Sequence, residues 1–227
     1  QEAQTASAVV SPAKKTLADV EYRLPSTIAP TFQRIHLNID PDNPTYSGKT
    51  NIDVTVKTPT KKVGFYQQDL TVTSARLVSG SSSFPLNVTI GEYDINWGES
   101  QNEIAPGKYT LEITFEGKVN TSSDGMYLSR FEETNYIFTQ FEDMHARKAF
   151  PSFDEPNFKI PYQMTISSPE HQEIVGNTPV EKVTVENGIK TVVFEKTKPM
   201  PTYLIAYTVG PFDSAEISGL SVPGKIY

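Results

Sequence analysis

Residues 108–115 read KYTLEITF, and apolar and polar side chains alternate along this stretch without interruption. A period of two places the apolar residues on one face of a β-strand and the polar residues on the other. The same alternation occurs in RIHLNI at 34–39 and in NIDVTV at 51–56. These three segments predict antiparallel strands that each cover a hydrophobic core with one face.

Shorter segments of the same character predict further strands, which start about 8–14 residues apart, as in all-β domains. One hairpin is predicted at Asn187-Gly188, because Asn-Gly is a strong signal for a two-residue turn between strands. The shorter predicted strands are Leu86–Ile90, Ile95–Trp97, Tyr136–Phe141, Tyr162–Ser167, Val180–Val185, Ile189–Phe194 and Tyr203–Val209.

The composition agrees with this pattern, since the 227 residues are 11% aromatic and include 17 prolines and 13 glycines that punctuate the strands. A helix is indicated only in EDMHARKAF at 142–150, where Asp143 is a candidate N-cap and Pro151 ends the helix. We therefore predict an all-β, antiparallel, multi-stranded domain, saddle-like or sandwich-like, with at most one short helix.

Charge and residue counts exclude several classes of function. The chain has no cysteine, which excludes disulfides, thiolate zinc sites and a cysteine nucleophile. Its net charge of −7 argues against a nucleic-acid partner, because such proteins need a basic patch. No stretch approaches the ~20 apolar residues of a membrane span. We expect neither a nucleic-acid partner nor a membrane span.

The two ends of the chain differ from its middle. Residues 1–20 are small, polar and without periodicity, which predicts a flexible tether before one domain at 21–227. The tether has the appearance of a mature end left after export, and together with the absent cysteines it favours a periplasmic or secreted protein over a cytoplasmic one. The last residues, 223–227, begin a strand after a turn signal, so we expect the natural polypeptide to continue.

The common enzyme motifs are missing. The sequence contains no H-E-x-x-H, no G-x-S-x-G and no phosphate-binding glycine pattern. Neighbouring acids on a strand point apart, whereas a glycosidase needs two acids across the scissile bond, so that function is only a third hypothesis. The acidic clusters are Asp40/Asp42, Glu132/Glu133, Glu142/Asp143 and Asp154/Glu155, of which the first is typical of a turn.

The run TQFEDMHARKAFPSFDEP at 139–156 carries the most chemical information. If the preceding strand reaches its end, Gln140 and Glu142 share one face. Two such acceptors can bind an ammonium group, which has three donors and no acceptor. At ~4 Å and an effective dielectric of about 20, the ion pair gains about 4 kcal/mol before the cost of desolvation. The alternative is a surface Gln and Glu that close a strand, or a Glu142 neutralised by Arg147.

Two other groups in this run have a structural interpretation. Arg147 and Asp154 are expected to form a buried bidentate contact that holds the turn at 150–156. The three phenylalanines in or just beyond the run are expected in the core rather than in a ligand platform: Phe150, Phe153 and Phe158.

Residues 139–159, TQFEDMHARKAFPSFDEPNFK, resemble the signature T-Q-[FM]-E-x-x-x-A-R-x-x-F-P-C-F-D-E-P-x-x-K of the aminopeptidase N-type zinc metallopeptidases. GMYLS at 125–129 is similar to the family's G-x-Y-x-S, and MPTYLIAYTVGPF at 200–212 is similar to M-x-T-Y-L-x-A-x-x-V-G-x-F. The resemblance covers about residues 20–227 and lies within the family's N-terminal domain. Ser152 departs from the pattern at a position where cysteine is common, and we interpret this position as structural.

The resemblance implies a β-rich domain that covers the catalytic domain of the same polypeptide. It implies that Gln140 and Glu142 bind the N-terminal ammonium of a peptide substrate, and that Arg147, Asp154 and Pro156 are scaffold. Zinc belongs to the parent enzyme, whose ligands lie beyond the end of this chain. The chain itself is then expected to hold no catalytic residue, no metal and no cofactor, and to be inactive alone.

A second hypothesis from a different class is a free-standing β-sandwich that binds peptides or carbohydrates by its own surface. It predicts measurable ligand affinity in isolation, whereas the anchoring-domain hypothesis predicts an apolar surface that matches a further domain.

Overall fold

The computed structural model describes residues 22–227, and the regular secondary structure of these residues is almost entirely β-strand. This part of the chain has no α-helix and contains two short 3-10 turns, at Ala146–Lys148 and Thr202–Leu204. The all-β prediction is therefore confirmed. The tether predicted at residues 1–20 lies outside the described residues. Among residues 22–227 we find no helix with the length and apolar character needed to cross a membrane.

The strands are numbered along the chain. They are β1 Ile28–Asn38, β2 Thr45–Val56, β3 Thr60–Tyr66, β4 Thr71–Ser79, β5 Ser82–Pro85, β6 Asn87–Ile90, β7 Ile95–Ile104, β8 Gly107–Lys118, β9 Gly125–Phe131, β10 Thr134–Gln140, β11 Tyr162–Pro169, β12 Glu173–Gly176, β13 Val180–Glu186, β14 Ile189–Phe194, β15 Tyr207–Gly210, β16 Ala215–Ile217 and β17 Gly224–Ile226.

Hydrogen bonding groups these strands into sheets. The largest has eight strands in the order β13-β14-β11-β1-β2-β8-β4-β5, in which only β1 and β11 run parallel. A four-stranded sheet has the order β12-β15-β10-β9, and a three-stranded sheet has the order β3-β7-β6. The last two strands form a separate hairpin. The four-stranded sheet contains the first two residues of the TQFE sequence, Thr139 and Gln140, at the end of β10.

Two hydrophobic cores lie against the eight-stranded sheet. The first core joins that sheet to the four-stranded sheet and includes Leu37, Phe115 and Ile137. The second core joins it to the three-stranded sheet and includes Ile113 and Phe65. One sheet can serve both cores because it is long and presents the inward residues of each strand along its whole length.

The strongest sequence patterns correspond to central strands. The stretch 108–115 lies within β8, where Leu111, Ile113 and Phe115 are fully buried. The predicted hairpin joins β13 to β14, and Asn187 and Gly188 both have positive φ values, 52° and 77°, as a type I′ turn requires. Both predictions are confirmed.

Other details of the sequence-based prediction are wrong. The strand predicted at Tyr203–Val209 is a 3-10 turn followed by the short β15. The predicted helix at 142–150 is a single 3-10 turn, and its N-cap is His145 rather than Asp143. Strands β3 and β4 were not predicted. Residues 63–66 of β3 are all buried and so show no alternation, and a β-bulge between Val72 and Ser74 breaks the period of two in β4.

Gly117 is required by a close approach between neighbouring strands. It pairs with Tyr46 across β2 and β8, and a Cβ atom at Gly117 would lie 2.5 Å from the Tyr46 ring. Gly117→Ala should therefore lower the free energy of unfolding by about 1–3 kcal/mol, because the buried ring must move. Urea denaturation measures this loss. Gly107→Ala on the same strand is the control, since its nearest neighbour is the ring of Tyr109 at 3.3 Å, and equal losses in both variants would contradict the steric explanation.

Candidate functional site

The segment 141–153 connects β10 to the region between the two cores. Its aromatic side chains are buried on both sides of this path, with Phe141 and Phe150 in the first core and Phe153 in the second. Phe158 is half-buried and packs edge-on against Phe153, with ring centroids 5.6 Å apart. The prediction that these phenylalanines belong to the core is confirmed.

Backbone hydrogen bonds fix the second half of this segment. Ser152 and Tyr66 exchange two backbone bonds, 2.8 and 3.1 Å long, so that residue 152 adds to the end of β3. The amide of Gln68 donates to the carbonyl of Arg147 at 2.9 Å. The segment is therefore tied to β3 and to the residues that follow it.

Side chains from the eight-stranded sheet complete this attachment. The buried amide of Gln33 donates to the carbonyl of Pro151 at 2.9 Å. The hydroxyl of Tyr46 donates to the carbonyl of Ala149 at 2.9 Å. Residues 147–152 are thus held by strands that are far apart in sequence, which gives the site a rigid support.

Gln140 and Glu142 flank Phe141 at the end of β10. Phe141 is 1% exposed, whereas both polar side chains are exposed to solvent. The strand ends at Gln140, so Glu142 lies in the turn beyond it, and the peptide bond between Glu142 and Asp143 is cis. Among residues 22–227 neither Gln140 nor Glu142 has a side-chain hydrogen bond or ion pair. Both side chains are accessible to an external ligand.

Arg147 does not neutralise Glu142. Its Nε donates to Oδ2 of Asp154 at 2.8 Å, and its Nη2 donates to the carbonyl of Asp154 at 2.9 Å. Its Nη1 lies 3.4 Å from Oδ2 of Asp94. The alternative in which Glu142 pairs with Arg147 is wrong, and the expected contact between Arg147 and Asp154 is present. Glu142 is therefore not paired with Arg147.

Further polar groups complete the buried cluster around Arg147. The guanidinium carbon lies 4.1 Å from the centroid of the Tyr66 ring, a cation–π contact. The hydroxyl of Tyr66 donates to Oε1 of Glu155 at 3.0 Å, and Thr202 donates to Oδ1 of Asp154. Burial and the neighbouring carboxylate of Glu155 raise the pKa of Tyr66 above its usual value. The cluster is a satisfied buried network, consistent with support rather than chemistry.

Pro156 lies at an exposed corner beside this cluster. The amide of Phe158 donates to the carbonyl of Glu155 at 3.0 Å, which closes a β-turn with Pro156 at its second position. Proline suits that position because its φ is already fixed near −65°.

Ser152 is fully buried, and its hydroxyl has no hydrogen-bond partner among residues 22–227. Ser152→Ala should raise the free energy of unfolding by about 1 kcal/mol, because it removes an unpaired buried hydroxyl and leaves the backbone bonds to Tyr66 in place. Thermal or urea denaturation of the purified chain measures this change. A loss of stability would contradict the prediction and would indicate that the hydroxyl has a partner in solution.

A second charged cluster lies beside the turn that carries Glu142, and no sequence pattern predicted it. Oδ2 of Asp124 accepts a hydrogen bond from Nζ of Lys148 and lies 3.7 Å from Nδ1 of His145. Ser122 donates to Oδ1 of Asp124. We call these four residues the Asp124 cluster. The contact joins loop 119–124 to the turn at 141–148, and no local spacing could have revealed it.

The other acidic residues and the largest described cavity named below lie apart from Glu142. Oδ1 of Asp40 accepts the amide of Asp42 at 3.0 Å, which confirms the predicted turn. Within residues 22–227 no group of three or more histidine and acidic side chains is placed to hold a metal ion. An open cavity of about 610 Å³ is lined by Asp40, Asp69 and Glu116, and it includes neither Gln140 nor Glu142.

Comparison with known proteins agrees with the signature. Residues 29–204 match the model of the peptidase M1 N-terminal domain. The chain is 34% identical over 199 residues to aminopeptidase M1-D of Oryza sativa subsp. japonica, and this match covers 86% of the chain and 23% of the relative. It is 31% identical over 214 residues to aminopeptidase N of Acetobacter pasteurianus, with 90% of the chain and 59% of the relative covered.

A further relative is glutamyl aminopeptidase of Bitis rhinoceros, which is 31% identical over 219 residues, with 91% of the chain and 23% of the relative covered. The chain therefore spans about a quarter of the length of the plant and snake relatives and somewhat more than half of the bacterial one. Because the family match extends over most of residues 22–227 and preserves the order of the motifs, the chain belongs to the peptidase M1 N-terminal domain family.

Proposed function

We propose that this chain is the substrate-anchoring N-terminal domain of a zinc aminopeptidase and that Gln140 and Glu142 bind the α-ammonium group of the peptide. The observation that carries the proposal is the exposed carboxylate of Glu142, which has no cationic partner among residues 22–227 and follows the exposed Gln140 by two residues on a well-supported segment. An unpaired acid at such a position is free to bind a cation supplied by a ligand.

The chemistry of an exopeptidase fits this arrangement. A free N-terminus carries a positive charge and three hydrogen-bond donors, which a carboxylate and an amide oxygen can accept together. Holding the ammonium fixes the distance from the N-terminus to the first peptide bond, and this positioning accelerates the reaction by proximity. A substrate with a blocked N-terminus lacks both the charge and the donors. The site would therefore select free N-termini.

The partner that we propose is a catalytic domain in the same polypeptide. The relatives are aminopeptidases by name, and most of them are several times longer than the region that this chain matches. Zinc would activate the attacking water in that domain. Residues 22–227 do not fit a zinc site, since no three of their histidine and acidic side chains are grouped so as to hold a metal ion. We propose that the chain is inactive alone.

An aromatic surface beside the site supports the existence of such a partner. Tyr136, Phe138 and Gln140 lie on the same face of β10, because they alternate with the buried Ile137. Tyr127 and Phe212 extend this surface, with ring centroids 6.2 and 5.9 Å from that of Phe138. All four rings are half-buried, so further protein on this face would bury apolar surface next to Gln140.

The test uses the longer polypeptide in which we place this domain, called the full-length enzyme below. Leucine hydroxamate and 4-methylpentanohydroxamate are compared as competitive inhibitors, because they share the zinc-binding group and differ in the α-amine. We call the ratio of their inhibition constants the amine preference. We expect a strong amine preference in the wild type and its loss in Glu142→Ala. An unchanged amine preference in that variant would refute the proposed role.

The alternative hypothesis, a free-standing binding module, can be tested on the 227-residue chain alone. Our proposal expects no peptide hydrolysis and no measurable affinity for peptides or oligosaccharides from this chain alone. Saturable binding of either ligand in isothermal titration would favour the module.

A further inference from the structure

We infer that Asp124 is a positioning residue that holds the turn carrying Glu142 in its binding orientation. The inference rests on the proposed function for its consequence in catalysis, but its structural part can be tested on the 227-residue chain alone. Asp124 does not contact the substrate in this scheme. It acts through Lys148 and His145.

The turn that contains Glu142 has few attachments of its own. It starts at the buried Phe141, whose carbonyl accepts the amide of His145 at 2.9 Å. The side chains between these two residues, Glu142, Asp143 and Met144, are all exposed. The following 3-10 turn has no side-chain cap. The position of Glu142 therefore depends on what holds His145 and the residues after it.

Asp124 adds side-chain contacts to the bonds that hold residues 147–152. Its carboxylate accepts a hydrogen bond from Lys148 and lies 3.7 Å from His145, the first residue after the exposed part of the turn. Ser122 donates to the other carboxylate oxygen, and the carbonyl of Asp124 accepts the side chain of Asn120 at 2.8 Å. Residues of its own loop therefore fix the position of Asp124, and Asp124 in turn binds the segment that contains His145 and Lys148.

The same loop also fixes Gln140. Asp124 directly precedes Gly125, which pairs with Gln140 across β9 and β10. Gly125 has a φ of 67°, and a Cβ atom there would lie 3.2 Å from Cβ of Lys148, so the two segments are in close contact. One loop end therefore sets the positions of both proposed ammonium ligands relative to each other.

The electrostatics of the cluster agree with a persistent contact. The hydrogen bonds from Lys148 and Ser122 lower the pKa of Asp124, so its carboxylate is charged throughout the neutral range. The side chains of Asp124 and Lys148 are 27% and 19% exposed, which limits screening by solvent compared with a fully exposed pair. The Asp124–Lys148 pair is therefore less exposed than the pair of Arg130 and Glu133 at the turn between β9 and β10.

The first test measures the mobility of the turn. Met144 is 54% exposed and the chain has no cysteine, so Met144→Cys gives a single site for a nitroxide label. We expect the label to show a more mobile spectrum when Asp124→Asn is added, because the neutral amide cannot hold Lys148 and His145 as firmly. Glu133→Gln is the matched control, since it removes one acid from the exposed pair with Arg130. Equal spectra for Asp124→Asn and the control would overturn the inference.

The second test measures the consequence for ligand recognition in the full-length enzyme. We expect Asp124→Asn to reduce the amine preference about 10-fold, with KM raised and kcat changed less than about twofold, because the ammonium ligands are displaced while the reacting groups are not. Asp124→Glu should restore part of the preference. Lys148→Met serves as a second variant if Asp124→Asn does not fold.

The outcomes separate the two proposals. A more mobile label together with an unchanged amine preference in Asp124→Asn would overturn the positioning role. An unchanged amine preference in Glu142→Ala would instead overturn the proposed function, whatever the label shows. Loss of preference in both variants, larger in Glu142→Ala, is the result that we expect.

Discussion

Alanine in place of Glu142 should lower kcat/KM of the full-length enzyme for aminoacyl anilides about 10- to 100-fold. A hydrogen bond to a charged group contributes about 1.5–3 kcal/mol, and each 1.4 kcal/mol corresponds to about a factor of ten. Most of the loss should appear in KM if the ammonium is bound equally in the ground state and the transition state. Steady-state kinetics over a range of substrate concentrations measures both parameters.

Glu133→Ala is the matched control for this experiment. Glu133 is also an exposed acid on the four-stranded sheet side of the molecule, but it pairs with Arg130 and lies at the other end of β10. We expect its kcat/KM to stay within about twofold of the wild type, since exposed pairs contribute little. A loss of the same size in both variants would point to a general effect of surface charge and would contradict a specific role for Glu142.

Asp154→Ala should lower the free energy of unfolding of the chain by about 3–5 kcal/mol. The variant leaves the buried guanidinium of Arg147 without its main carboxylate partner, and removal of one member of a buried ion pair has a cost of about this size. It also removes the acceptor for Thr202. Urea denaturation followed by fluorescence of Trp97, the single tryptophan, measures the loss.

This change is a large part of the stability of an ordinary domain, about 5–15 kcal/mol, so a second variant is needed in case alanine prevents folding. Asp154→Asn keeps the shape and one acceptor oxygen and should have a smaller effect. Glu133→Gln, in an exposed pair, should change the free energy of unfolding by less than about 1 kcal/mol. If Asp154→Ala were no worse than Glu133→Gln, the structural role of the Arg147–Asp154 contact would be refuted.

The sequence was sufficient for the features that repeat locally. An alternation of apolar and polar residues, as in 108–115, predicted the central strands, because a strand with one buried face needs that period whatever its neighbours are. The Asn187-Gly188 turn was equally local, since its positive φ angles depend on only two residues. The exposed positions of Gln140 and Glu142 on either side of a buried Phe141 also followed the strand period, even though the strand ends one residue before Phe141.

Only the tertiary structure decided which distant residues meet. Strands β3 and β4 were missed because the burial of both faces at residues 63–66 and the bulge between Val72 and Ser74 depend on partners elsewhere in the chain. The contact of Arg147 with Asp154 was expected from the sequence, but its further contact with Asp94, and not with Glu142, was set by the passage of residues 141–153 between two cores. The contact of Asp124 with Lys148 joins residues 24 positions apart, and a local pattern contains no information about such a contact. The physical reason is that periodicity reports burial along one element, whereas contacts between elements depend on how the sheets pack.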